Sequence, residues 1–269
     1  MTATSATPER RTLADEAYIE LKSRIMRSAL VPGAKLSIDG LAKQLAFSQT
    51  PIREALARLE SEGLLARRPL SGYTVEPLLS AAEFDDLFEI RMMLEPRAAR
   101  RAAERGARDL AGAGTATGLA AGDPESGRAG AASPGPASIE GLTAAQADAL
   151  LACARTPDAG ADKLVFTEAD ARFHNSVAEL SGSAQLAKAI RRLDAHLHLH
   201  RAYIEPDSIG ETEVEHLAVA DAIIAQQPLA AEEAMRRHLE RSRIRHRAAF
   251  EAARTTQPTS KPRRAKATR

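Results

Sequence analysis

The stretch "SQTPIREALARLESEGLL", residues 48–65, constrains the fold of this chain most. Ile52, Leu56 and Leu59 fall at i, i+4 and i+7, the spacing that lines one face of an α-helix. Ser48 or Thr50 can cap that helix. Pro51 is tolerated in its first turn, where the missing N–H would have had no intrahelical acceptor. Gln49, Thr50 and Arg53 then lie on the opposite side, near the positive end of the helix dipole. Just upstream, "SIDGLAKQLAF" predicts a second short helix, with Ser37 as N-cap and Leu41 and Leu45 turned inward. Before it, "YIELKSRIMRSALVPGAKL" carries Tyr18, Leu21 and Ile25 at helical spacing and ends in a Pro-Gly turn. Downstream, "LLARRPLSGYTVEPL" predicts two short strands around a turn with Gly72, and Arg67 and Arg68 at their base. A short turn between two helices, with polar and basic groups opening the second, is the logic of a winged helix-turn-helix.

This segment resembles the recognition-helix region of the GntR superfamily of bacterial transcription regulators, over roughly residues 12–78. The family pattern is approximately S-R-T-P-V-R-E-A-L followed by R-L-x-x-E-G-L, and "TPIREAL" carries the match. The resemblance implies that Ser48, Gln49, Thr50 and Arg53 meet operator DNA in the major groove. It also implies that Arg67, Arg68 and the wing glycine Gly72 approach the neighbouring backbone and minor groove. Gln49 stands where the family has its first arginine. Arginine pairs with guanine and glutamine with adenine, so the base preference is expected to shift.

The rest of the chain reads as helical. Aromatic residues make up only 3% and Trp is absent, so Leu, Ile, Val and Ala must fill the cores. The net charge of +1 gives no global basic field, so any DNA contact has to come from a local patch. Cys153 is the single cysteine, which excludes an intramolecular disulfide and a Cys-rich zinc site and fits a cytoplasmic protein. No apolar run reaches the roughly 18 residues of a membrane helix, and the opening "MTATSATPERR" has no apolar core of a secretory signal. The expected organisation is a polar lead-in at 1–11, the winged helix-turn-helix at 12–79, and an all-α antiparallel bundle at 80–253. Residues 106–138 hold eight of the sixteen glycines and three prolines, and read as a flexible insertion in that bundle. The tail, 254–269, has six basic residues and no acidic one, and reads as solvated and disordered.

Inside the second region, "DARFH" places Asp170 and His174 one helical turn apart beside the apolar Phe173 and Val177. Two ligands cannot close a metal site. Two further histidines sit in helical, partly apolar surroundings: His216 in "EVEHLAVADAII" and His238 in "AMRRHLERSRI". One carboxylate and three imidazoles suit a divalent transition ion with open positions for water. Zinc, nickel or manganese is expected, since nitrogen-rich ligation disfavours calcium and magnesium. In "HLHLH", residues 196–200, only His196 and His200 share a helix face. That run reads as a polar stripe lining a pocket or solvent rather than as a metal cluster. Arg91 in "EIRMMLEPRAAR" shares a face with Phe84, Leu87 and Phe88, and a guanidinium among apolar side chains needs an anionic partner. Glu95, at i+4, is one candidate.

The pattern resembles the FCD-type ligand-binding domain of the FadR branch of GntR regulators. The family's D-x-x-F-H corresponds to "DARFH", its E-H-x-x-I to "EHLAV" with Val219 in place of isoleucine, and its M-R-x-H-L to "MRRHL". The resemblance implies that Asp170, His174, His216 and His238 ligate one ion, and that Arg91 pairs with the carboxylate of a small organic acid beside it. It implies a homodimeric regulator, not an enzyme, on a palindromic operator. Two other readings stay open: a metal-dependent enzyme carrying a winged-helix module, for which no nucleophile motif is visible, and a purely structural metal site.

Overall fold

The computed structural model describes residues 11–68, 72–113, 142–158, 162–201 and 206–256. The lead-in up to residue 10, residues 114–138 of the expected insertion, and the tail from 257 lie outside the described residues.

The head starts with α1, Leu13–Met26. Thr12 and Asp15 close a reciprocal capping box at its start: Asp15 N–H donates to Thr12 Oγ1 at 3.1 Å, and Thr12 N–H to Asp15 Oδ2 at 3.1 Å. Then come β1, Lys35–Leu36, and α2, Ile38–Leu45, capped by Ser37, which accepts from Gly40 N–H at 3.0 Å. Three residues, 46–48, turn the chain into α3, Gln49–Ser61, with Ala46 in the left-handed region at φ 57°. The strands β2, Leu65–Arg68, and β3, Gly72–Val75, form the expected wing, and β1 joins them in an antiparallel sheet of order β1-β3-β2. β1 carries no signal in the sequence beyond a turn, because two residues show no alternation. Gly72 sits at φ +78°, and a Cβ there would lie 2.9 Å from the carbonyl oxygen of Leu36, so seating β1 against β3 requires glycine.

Ile52, Leu56 and Leu59 are fully buried, packed with Leu21, Ile25 and Met26 of α1 and with Leu64, Leu65 and Val75. Because α3 is seated by these side chains, trimming one methyl should be felt. Ile52→Val is expected to cost about 0.5–1.5 kcal/mol in chemical denaturation, and an unchanged midpoint would contradict this packing.

The second region is built from helices, with no strand among its described residues. It runs through α4 (Ala81–Ala113), α5 (Ala144–Ala154), α6 (Lys163–Leu180) and α7 (Ala184–Arg192), then α8 (Ala195–His200), α9 (Pro206–Ile224) and α10 (Pro228–Thr256). α10 packs on α4 and α9, and α6 packs on α4, α5 and α8. The core between them is built from small and branched residues, among them Ala99, Ala102, Ala103, Val177, Val219, Ala220 and Ile223, with Phe173 and Met235. This is what an aromatic-poor sequence can build. A correction concerns residues 106–113: the helix α4 continues through them, eight residues into the segment read as flexible. An established helix propagates easily through Ala, Arg and Leu, and two glycines at about 1 kcal/mol each do not stop it.

The head and the bundle share packing. Leu164 of α6 and Leu197 of α8 belong to the apolar core of the head. Arg27 pairs with Asp162 at 2.7 Å, and Arg201 donates to the backbone carbonyl of Glu76 at 2.6 Å.

Candidate metal centre and nucleic-acid face

Four helices converge on one buried polar cluster. α6 carries Asp170 and His174, α9 carries His216, α10 carries His238, and α4 carries Arg91 and Glu95; every one of these side chains is buried. Ring nitrogens of His174, His216 and His238 lie within 4.8 Å of one another. His174 Nε2 and His238 Nε2 are 3.2 Å apart. Asp170 Oδ1 is 3.2 Å from His216 Nε2 and 3.9 Å from His174 Nε2. So all four residues proposed from the sequence as ligands come together.

The surrounding carboxylates fix which ring nitrogens point inward. His174 Nδ1 meets Glu95 Oε2 at 2.5 Å, and His238 Nδ1 meets Glu215 Oε2 at 2.9 Å. A carboxylate only accepts, so both Nδ1 atoms carry the proton, and in neutral rings both Nε2 atoms present lone pairs. The two Nε2 atoms face each other at 3.2 Å among buried side chains. Burial pushes His174 well below the usual histidine range against the pull of Glu95, and pushes His216 down to about 4, so both rings are neutral near pH 7. Asp170 is ionised: burial pushes its pKa up, but the imidazoles around it, His196 foremost, outweigh that and hold it well below the usual carboxylate value.

Within this cluster two buried side-chain atoms are left without hydrogen bonds, Asp170 Oδ1 and His216 Nε2. They lie 3.2 Å from each other. A cation answers each of these features. Ligand atoms roughly 2.1 Å from one centre lie roughly 3.0–3.4 Å apart at octahedral or tetrahedral angles, and the two 3.2 Å separations match that spacing. The residues present therefore fit a divalent transition ion, and the outer carboxylates orient the rings as such ligands require.

Arg91 is paired with Glu95, Nε to Oε1 at 2.5 Å and Nη2 to Oε2 at 3.3 Å. The i+4 partner visible in the sequence is thus engaged, and the same carboxylate continues to His174. Burial raises the pKa of Glu95, but Arg91 and His174 together outweigh it and hold the carboxyl well below its usual value. A cleft of about 120 Å³ reaches Glu95, Thr167 and His196 from the side of Lys22 and Glu62 of the head.

The sequence reading missed His196 and His200. Both are buried, His196 Nδ1 at 2.7 Å and His200 Nε2 at 3.3 Å from Asp170 Oδ2. Their i, i+4 spacing on one face was the visible signal. Glu215 was also missed; its neighbour His216 points to the cluster from α9, while Glu215 serves His238 on α10 and Arg245, 2.8 Å away.

On the head, Ser48, Gln49, Thr50, Arg53, Arg67, Arg68 and Gly72 are all exposed. Ser48 is the N-cap of α3, but its hydroxyl makes no capping bond. Gln49 Nε2 donates to Asp39 Oδ1 at 2.7 Å. These exposed residues lie at the start of α3, on β2 and at the first residue of β3.

Two family descriptions match the chain: "Bacterial regulatory proteins, gntR family" over residues 13–75 and "FCD domain" over residues 123–241. The HTH-type transcriptional regulator McbR of Escherichia coli is 41% identical over 85 residues, 32% of this chain but only 38% of that protein. The "Probable D-xylose utilization operon transcriptional repressor" of Paenarthrobacter nicotinovorans is 27% identical over 243 residues, 89% of this chain and 91% of that one. The solved structure of E. coli McbR shares the fold, with a TM-score of 0.56 at 21% identity over 90% of this chain and 100% of that chain. No helix among the described residues is long and apolar enough to cross a membrane. The chain carries a gntR-family helix-turn-helix domain at residues 13–75 and an FCD domain at residues 123–241.

Proposed function

We propose that this protein is a transcription regulator that binds operator DNA through α3 and the wing, and whose operator affinity is set by a small carboxylate at a metal centre. The observation that carries the reading is the convergence of Asp170, His174, His216 and His238 with two orphaned atoms at its heart, in a chain that also carries the winged head. A divalent transition ion held by these four groups, zinc, nickel or manganese, supplies a positive centre for an oxygen of the acid. Arg91 lies beside it and takes the opposite carboxylate oxygen when Glu95 yields a donor.

The helix α8 offers the route from pocket to head. His196 and His200 face Asp170, while Leu197 sits in the core of the head and Arg201, just past the helix, holds the carbonyl of Glu76 next to β3. An acid that prefers one placement of α8 shifts the head by that difference in affinity. The active species is a homodimer on a two-fold operator. Exposed Ile90 and Met93 on α4, and Val214 and Ile244 on α9 and α10, offer apolar surface for pairing.

Arg53→Ala is expected to lose about 1–3 kcal/mol of operator affinity per head with fold unchanged, since one bidentate base contact is removed. Unchanged affinity on an operator selected from random duplexes would remove Arg53 from the readout. The reading as a whole is tested by mobility shift on that operator with chelator-stripped and metal-reloaded protein, each titrated with small carboxylic acids. Only the reloaded protein should respond to an acid. Equal responses with and without metal, or no sequence-selective binding, would overturn it.

A further inference from the structure

The two oxygens of Asp170 divide the surrounding histidines between them. Oδ1 faces His216 and His174 of the centre described above, at 3.2 and 3.9 Å. Oδ2 faces α8: it accepts from His196 Nδ1–H at 2.7 Å, a proton that a bound ion would displace, and lies 3.3 Å from His200 Nε2. Ligand atoms of Asp170, His196 and His200 lie within 4.8 Å of one another, and all three residues are buried.

Hydrogen bonding fixes the tautomer of His200. Thr167 Oγ1 donates to the Lys163 carbonyl at 2.7 Å, which uses its one proton. It therefore accepts from His200 Nδ1 at 3.1 Å. In the neutral ring His200 Nε2 is left with a lone pair, aimed at a buried carboxylate oxygen. Two acceptors in contact there are unfavourable unless a cation lies between them. The ring is also held in place, stacked on His246 at 5.2 Å with an interplanar angle of 6°.

We propose a second divalent-cation site, formed by His196, His200 and Asp170 Oδ2, so that the Asp170 carboxylate bridges two ions. The proposal rests on the reading that Asp170, His174, His216 and His238 hold the first ion. Its ligands, two imidazoles and a carboxylate oxygen, suit zinc, manganese or another divalent transition ion. Ligand number ranks the two sites, three imidazoles for the first ion against two for the second, with the Asp170 carboxylate shared. Glu95 is matched by Arg91 and Glu215 by Arg245, so Asp170 alone faces the charge of both ions. The second ion is therefore the weaker bound, and it brings anionic ligands such as hydroxide or a carboxylate with it.

The test counts ions. Metal-free full-length protein is equilibrated with Mn(II) or Zn(II), and bound metal is measured per chain by elemental analysis after equilibrium dialysis. The wild type should take two ions in two steps of different affinity, and the His196→Ala/His200→Ala double variant one. Electron paramagnetic resonance of the fully Mn(II)-loaded wild type should show a spin-coupled pair, a readout independent of how the variant folds. One ion per chain in both proteins, with the signal of isolated Mn(II), would overturn the second site and leave the first standing. No bound ion in either protein would overturn both.

Discussion

His216→Ala is expected to strip the protein of its tightly held ion and to abolish its response to acids, while operator binding without acid persists. His216 is 1% exposed and stacks on Phe173, with ring centroids 4.0 Å apart. Its Nε2 has no hydrogen-bond partner of its own, so its one polar task points at the cluster. Loss of an outer partner of a metal ligand typically costs roughly 10–100-fold in affinity; loss of a ligand itself should cost more. The ring is neutral near pH 7, since burial pushes its pKa down to about 4. The substitution therefore removes a ligand without removing a charge from the interior. Competition against a chromophoric chelator reads the affinity, and mobility shift reads the acid response. An unaltered metal affinity would take His216 out of the site.

A second large effect is expected at Glu95. Glu95→Gln should destabilise the fold by about 3–5 kcal/mol, because it leaves the Arg91 guanidinium, 1% exposed, without a counter-charge. It should also weaken metal binding, by roughly 10–100-fold, since the carboxylate that holds His174 Nδ1–H becomes a weaker acceptor. The two effects separate in a double variant. Arg91→Met with Glu95→Leu removes both charges, so it should recover most of the stability. It should not recover the metal affinity, because His174 is still left without its acceptor. Chemical denaturation of metal-free protein measures the first effect. A cost below about 1 kcal/mol for Glu95→Gln would mean that Arg91 finds another anion.

Local periodicity made the head legible. Ile52, Leu56 and Leu59 lie on one face of α3 in the sequence and are fully buried in the structure. The wing followed from apolar and turn residues at short range. The metal cluster was legible for a different reason. Asp170, His174, His216 and His238 are spread over three helices, and no spacing rule joins them; the resemblance to a known domain did. What stayed hidden depends on contacts between distant parts of the chain. Leu164 and Leu197 look like ordinary bundle residues, yet they complete the core of the head. Glu215 adjoins His216 in sequence but serves His238 on the next helix. His196 and His200 were seen to share a face, but a helix face alone does not say whether solvent or a buried carboxylate lies opposite. The strand β1 is too short for any pattern, and its place is set by Gly72 across the sheet.

The most direct test of the account is the metal content of the wild-type protein purified without chelator or affinity metal, set beside Asp170→Ala/His174→Ala. Asp170 and His174 supply two of the four groups that meet at the orphaned atoms, so the double variant leaves too few ligands to hold an ion. Elemental analysis should find at least one equivalent of zinc, nickel or manganese per wild-type chain and none above background in the variant. Background metal in both proteins, or equal metal in both, would contradict the account.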